Sequence, residues 1–147
     1  MILRSIGAGA LIAGAAALQA GALAAQDPPP EVIYLFADLS GEHETAAGDA
    51  DGYGDMAAAV KLTEGKFCYE LSVGKIAAAT AAHVHEGKAG ADGPPVITIA
   101  VTGPKNETCV EADGKLLKKI ADKPGEYYVN VHNADFPAGA IRGQLQM

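Results

Sequence analysis

Short alternating segments, each ended by turn residues, run along most of this 147-residue chain. They are rich in Val, Ile, Tyr and Phe, and Gly, Pro, Asp and Asn lie between them, which is typical of β-strands joined by tight connections. The predicted strands are residues 31–39, 56–62, 66–73, 79–86, 96–101, 108–111, 126–132 and 140–145. One helix is predicted over 114–122, where apolar residues share a face and Lys123-Pro124-Gly125 ends it. This pattern predicts an all-β fold, a Greek-key β-sandwich or barrel with one short helix.

The first 25 residues have the layout of a secretory signal peptide. Arg4 supplies the positive start, an apolar stretch rich in Ala and Gly follows, and Ala22-Leu23-Ala24 offers a cleavage site. A membrane anchor is the alternative for the same stretch. Residues 26–30 form a proline-rich linker, and the predicted domain covers 31–147. We therefore expect an exported protein, periplasmic or extracellular, without stable membrane insertion once the signal is cleaved.

The chain is acidic and has two cysteines. Its formal net charge of −7 opposes binding to nucleic acid, which requires clustered Lys and Arg. Cys68 and Cys109 are predicted to form one disulfide, since an even cysteine count is typical of exported proteins. The alternative is a thiolate ligand or redox thiol, for which the C-x-x-C spacing is missing.

Two short segments contain three of the four histidines. In His83-Val84-His85-Glu86-Gly87 both histidines project from the same face of a predicted strand, because side chains two apart point the same way. In Tyr128-Val129-Asn130-Val131-His132-Asn133, His132 shares a face with Tyr128 and Asn130. If the two strands are neighbours, the three imidazoles converge.

These segments also resemble a known family. Ala82 to Gly87, the loop from Gly90 to Pro94, and the run from Tyr128 through Phe136-Pro137-Ala138-Gly139 to Leu145 look like a CHRD domain, which is common in exported microbial proteins. Leu39-Ser40-Gly41 and Cys68-Tyr69-Glu70-Leu71 match its bacterial form. Gly41 to Thr45 lacks the prolines often found there, and Ala140 replaces a frequent Glu. The resemblance implies the fold and little about activity.

The histidines suggest a metal site. His-x-His on a strand offers two neutral imidazoles to one ion, and imidazole suits copper or zinc. His83 to Glu86 and His132 are similar to the copper-ligand strands of copper-zinc superoxide dismutase, a Greek-key sandwich, although its dinuclear site needs more histidines than the four present. One copper ion held by His83, His85 and His132, with His43 as a fourth ligand, stays open. The alternative is that the histidines hydrogen-bond loop carbonyls.

Arg142 is the only arginine outside the predicted signal peptide. The superoxide dismutase resemblance implies a role in guiding anions. A structural ion pair with a carboxylate such as Glu86 is the interpretation we favour.

The sequence thus leads to two hypotheses for function. The first is an exported CHRD-domain binding or structural module without turnover, whose partner is an unknown exported protein. The second is a mononuclear copper-binding, redox-active periplasmic protein. No serine lies in a nucleophile elbow, and the glycines lie in turns rather than in phosphate-binding loops, so an enzyme is not predicted.

Overall fold

The computed structural model describes residues 31–147, so the predicted signal peptide and linker lie outside the described residues. The eight strands are β1 (Val32–Ser40), β2 (Tyr53–Lys61), β3 (Lys66–Gly74), β4 (Ala79–Glu86), β5 (Pro95–Ile99), β6 (Thr108–Glu111), β7 (Tyr127–Asn133) and β8 (Ile141–Gln144). The helix α1 covers Gly114–Asp122, and 3₁₀ turns occupy Gly41–His43, Leu62–Glu64 and Pro124–Glu126. The all-β prediction with one short helix is confirmed.

All eight strands belong to one antiparallel sheet, in the order β5-β4-β7-β8-β1-β2-β3-β6. The sheet curls into a nearly closed barrel. Its two ends meet where the chain leaving β5 bonds to β3, because Thr102 and Gly103 donate their backbone N–H groups to the carbonyl of Leu71 at 3.0 and 3.1 Å. Closure of this kind leaves little exposed strand edge.

Period-two alternation sends one side of every strand into the barrel core. Leu35 of β1, Leu71 of β3, and Val84 of β4 are each fully buried. The helix α1 adds Leu117 and Ile120, also 0% exposed, and each such side chain contributes about 1.5–3 kcal/mol. The polar residues between these core positions therefore lie on the outer face, which is where the histidines are found.

Some strand ends differ from the sequence-based expectation. β2 begins at Tyr53 rather than Met56, because Gly54 and Asp55 pair with both β1 and β3 despite being turn-type residues. β5 ends at Ile99 rather than residue 101, because the chain leaves β4 there and Ala100 donates its N–H to the Tyr69 hydroxyl at 3.0 Å. Neighbouring strands decided both boundaries.

Cys68 and Cys109 face each other across β3 and β6 and form a disulfide, as predicted. The bond ties the short strand β6 to the sheet across a sequence separation of 41. Among residues 31–147, no helix is both long enough and apolar enough to cross a membrane.

Removing this disulfide should destabilise the barrel. For the double variant Cys68→Ser/Cys109→Ser we expect a loss of about 2–4 kcal/mol in the free energy of unfolding. Without the disulfide the unfolded chain is no longer closed into a loop and regains conformational entropy. Urea denaturation measures this. Wild-type protein treated with dithiothreitol is the matched control and should lose a similar amount; an unchanged midpoint in both would contradict the prediction.

Candidate metal centre

The outer face of β4, β7 and β8 carries polar side chains in rows across the three strands. One row contains His85, Tyr128 and Gln144, and the next contains His83, Asn130 and Arg142. His132 lies one step further along β7, opposite Ala81. The alternating residues of the same strands, among them Val84, Val129 and Val131, fill the core and hold this face in place.

The three histidines of this face converge. His83, His85 and His132 each offer one ring nitrogen, and these three atoms all lie within 4.8 Å of one another. The ring centroids are 5.4 Å apart for His83 and His132, 5.5 Å for His83 and His85, and 6.2 Å for His85 and His132. The predicted convergence of three imidazoles is therefore present in the fold.

Backbone carbonyls fix the protonation of two of these rings. The Nδ1 atom of His85 lies 2.9 Å from the Gly93 carbonyl, and the Nδ1 atom of His132 lies 3.1 Å from the Pro137 carbonyl. A carbonyl can only accept, so Nδ1 carries the proton and Nε2 keeps a free lone pair. This carbonyl–imidazole arrangement orients metal-binding histidines in general.

The remaining ring nitrogens lack partners. Nε2 of His85, Nε2 of His132 and Nδ1 of His83 are buried and make no hydrogen bond within the described part of the chain. Burial lowers the pKa of His85 and of His132 below the usual histidine value, although the carbonyls of Gly93 and Pro137 act in the opposite direction. At neutral pH both rings are therefore neutral and able to bind a metal ion.

A turn and a tight loop supply the two carbonyls. The Asn133 side chain accepts hydrogen bonds from the backbone of Asp135 and Phe136, at 3.1 and 2.8 Å, and so shapes the turn that presents Pro137. Gly93 packs so closely on β4 that an added Cβ would lie against the carbonyl oxygen of Glu86. Only glycine fits there, so the loop can reach His85.

Arg142 supports the same loop from beneath. Its guanidinium is 2% exposed and donates to the carbonyls of Ala91 and Lys88, at 2.7 and 3.1 Å, and to the Asp92 carboxylate at 3.2 Å. The suggested ion partner Glu86 was wrong, because alternation turns Glu86 to the other side of β4 from His85. The favoured structural pairing is present, with Asp92 in place of Glu86.

Tyr128 connects Arg142 to the histidines. The guanidinium carbon of Arg142 lies over the Tyr128 ring, 3.4 Å from its centroid, and the His85 ring also stacks on the Tyr128 ring, with centroids 4.8 Å apart and planes 11° from parallel. The Tyr128 hydroxyl accepts the Gly93 N–H at 3.2 Å. Stacking and hydrogen bonding together leave His85 little freedom to rotate.

The fourth suggested ligand, His43, lies elsewhere. The side chain of His43 is exposed, and its Nδ1 atom contacts the Arg142 carbonyl at 3.2 Å. His43 does not belong to the histidine cluster. It lines a cavity of about 350 Å³ together with Glu42, Glu44 and Arg142. The structure does not bring His43 to the other three.

Sequence reasoning missed a carboxylate on this face. Glu44 accepts a hydrogen bond from Nδ2 of Asn130 at 3.1 Å, across 86 residues of sequence. Its pKa is raised to about 7 by burial, against the lowering effects of Asn130 and Arg142. No local motif marks this glutamate, because the folded sheet alone brings it to Asn130.

A second group of metal-ligand types contains Cys68, Glu107 and Cys109. The two sulfur atoms are bonded to each other, so neither is available as a thiolate. The histidine cluster is thus the metal-ligand group with free donors in the described part of the chain.

The family model for the CHRD domain matches residues 35–145, and this range includes all three histidines of the cluster. The chain belongs to the CHRD domain family. No curated protein and no solved structure matches the chain.

Replacing Arg142 should destabilise the CHRD domain. In Arg142→Lys the charge is kept, but the planar fork that reaches two carbonyls and stacks on Tyr128 is lost. We expect a loss of about 2–4 kcal/mol in urea denaturation. The control Lys118→Ala breaks an exposed ion pair with Asp122 and should cost less than about 1 kcal/mol. Equal losses in the two variants would contradict the assigned role of Arg142.

Glu44 should make stability depend on pH. A raised pKa in the folded state contributes stability below the ordinary value of 4.5, and this is lost as pH rises through about 7. Relative to wild type, Glu44→Gln should therefore gain about 1–2 kcal/mol between pH 4.5 and pH 8. Thermal unfolding at several pH values tests this; a difference that does not change with pH would contradict it.

Proposed function

We propose that this CHRD domain binds a single transition-metal ion, with copper preferred, through His83, His85 and His132. The observation that carries the proposal is the convergence of three imidazoles, each offering one ring nitrogen within 4.8 Å of the others and each having a buried ring nitrogen without a hydrogen-bond partner. A buried polar atom left unpaired costs about 1–3 kcal/mol, and a bound metal ion would satisfy all three at once.

The donor set favours copper. Imidazole is a good ligand for copper and zinc, and divalent copper has the highest affinity of the first-row ions for nitrogen sites. Three nitrogens bound at about 2.0 Å to one ion in tetrahedral geometry lie about 3.3 Å apart, so separations of up to 4.8 Å need to contract by at most about 1.5 Å. Three protein ligands leave a further coordination position for water or an exchangeable ligand.

We assign binding rather than turnover to this site. Arg142, the residue that would attract an anionic substrate, already donates to Asp92 and to the carbonyls of Lys88 and Ala91. The positive charge of Arg142 is therefore already paired within the domain. A redox role for the bound ion is compatible with this proposal, since ligand exchange and electron transfer do not require Arg142.

Export is part of the same proposal. The signal-like first 25 residues and the disulfide between Cys68 and Cys109 both fit an oxidising compartment, periplasmic or extracellular. Copper reaches such a compartment readily, and the unknown exported protein that we expect as a partner would exchange the ion or bind the domain.

A structural role is the second candidate for the histidines. The Nδ1 bonds to Gly93 and Pro137 tie two loops to the sheet, which is what a structural role requires. That role explains the hydrogen bonds of Nδ1 of His85 and Nδ1 of His132. It does not explain why Nε2 of the same rings and Nδ1 of His83 are buried without partners.

Copper titration of single variants separates the two roles. We expect wild type to bind one equivalent of divalent copper by calorimetry, with nitrogen hyperfine structure in its electron paramagnetic resonance spectrum. His83→Ala should lower the affinity at least about 100-fold, since it removes a direct ligand. His83 is the most informative position because its Nδ1 supports no loop, so the fold should survive.

The matched control is His43→Ala, which removes an exposed imidazole outside the cluster and should leave copper affinity unchanged. Circular dichroism checks that each variant is folded. A wild type that binds no copper, or a His43→Ala variant as weak as His83→Ala, would refute the proposed site.

A further inference from the structure

The half of the sheet away from the histidines has an exposed apolar outer face. Tyr34 and Phe36 of β1 are 65% and 50% exposed, although large aromatic side chains are usually covered. Directly opposite them in β2 stand two small residues, Ala59 beside Tyr34 and Ala57 beside Phe36. Alanine is a poor strand former, so its use at both positions is unexpected.

The small residues create a trough. Beyond Ala57 in the sheet lies Glu70 of β3, and beyond Ala59 lies the disulfide of Cys68. These residues, with Glu107 just before β6, enclose a cavity of about 120 Å³. One wall is aromatic, the floor is alanine, and two carboxylates close the other side.

The two carboxylates of this trough are available. Glu70 accepts the Lys105 backbone N–H at 3.1 Å through Oε2, and neither Glu70 nor Glu107 is in an ion pair among residues 31–147. At one end of the trough Asp38 and Asp55 stand directly opposite each other on β1 and β2. Like charges in that position destabilise a sheet, and a cation placed beside them relieves the repulsion.

This combination matches one kind of side chain. A flexible alkyl chain with a terminal cation can lay its stem over alanine and aromatic carbon while its charged end reaches a carboxylate. A cation over a tyrosine or phenylalanine ring gains about 0.5–1 kcal/mol more at an exposed site. Lysine and arginine are the protein side chains with these properties.

We propose that the trough between Tyr34, Phe36 and Glu70 binds a lysine or arginine side chain of a basic partner protein. The inference is independent of the metal site. A second copy of this acidic chain would bring the same carboxylates to the surface and be repelled. Residues 1–30 contain a single basic residue, Arg4, within the predicted signal peptide, so they do not supply the charge either.

A capped pentalysine peptide is a suitable probe for this surface, monitored by nuclear magnetic resonance of the labelled protein. We expect the largest amide shifts at Ala57, Ala59 and Glu70. Tyr34→Ala should weaken binding about 2- to 5-fold, which corresponds to the loss of one cation–π contact. Ala57→Leu, at an exposed position, fills the trough without changing charge and should weaken binding at least as much.

The charge control is Glu86→Gln, since Glu86 is exposed on the other half of the sheet. We expect Glu70→Gln to weaken peptide binding more than Glu86→Gln does. Equal effects of the two variants, or no effect of Tyr34→Ala and Ala57→Leu, would show attraction by net charge alone and overturn the proposal. A dimer in sedimentation that Phe36→Asp dissociates would also overturn it, in favour of a second copy as occupant.

Discussion

The buried guanidinium of Arg142 is the constraint on which the histidine face depends. A charge that is 2% exposed is tolerated only when it is well paired, and Arg142 meets this condition with one carboxylate, two carbonyls and a tyrosine ring. All of the oxygen partners belong to the loop between β4 and β5. The same loop returns to His85 through the Gly93 carbonyl, and Tyr128 lies between Arg142 and His85. Loop, tyrosine and histidine are therefore positioned together.

The two halves of the outer face of the barrel carry different chemistry on the same scaffold. Every strand contributes the same kind of apolar side chains to the interior, and these supply most of the stability. On the outside, β4 and β7 carry the imidazoles, two of which contact loop carbonyls, whereas β1, β2 and β3 carry exposed aromatic rings and carboxylates. The site positions are set by strands rather than by loops alone, which is how precise ligand geometry is usually maintained.

Strand periodicity was enough to predict the face on which His83, His85 and His132 lie, and cysteine count was enough to predict the disulfide. Both depend on local or compositional signals. The helix α1 was also predictable in full, because Leu116, Leu117 and Ile120 share a face and a proline follows. Whether β4 and β7 are neighbours could not be predicted from the sequence, because strand adjacency is set by the folded sheet.

The parts that sequence could not predict are long-range contacts made by loop residues. Glu44 follows a 3₁₀ turn and meets Asn130 only because β1 and β8 are neighbours in the sheet. Asp92, rather than Glu86, pairs with Arg142 because the loop after β4 folds back over β8. His43 was a reasonable fourth ligand by residue type alone, yet its 3₁₀ turn directs it to the Arg142 carbonyl. In each case the sequence showed the chemical type of the residue but not which residue it contacts in the fold.

Anomalous diffraction at the copper edge, from crystals loaded with one equivalent of divalent copper, tests the central claim most directly. We predict a single peak bounded by Nε2 of His85, Nε2 of His132 and a ring nitrogen of His83, with Nδ1 of the first two rings still on the Gly93 and Pro137 carbonyls. A peak at His43 or at another surface group, or no peak while the three histidines keep the positions described above, would contradict the account.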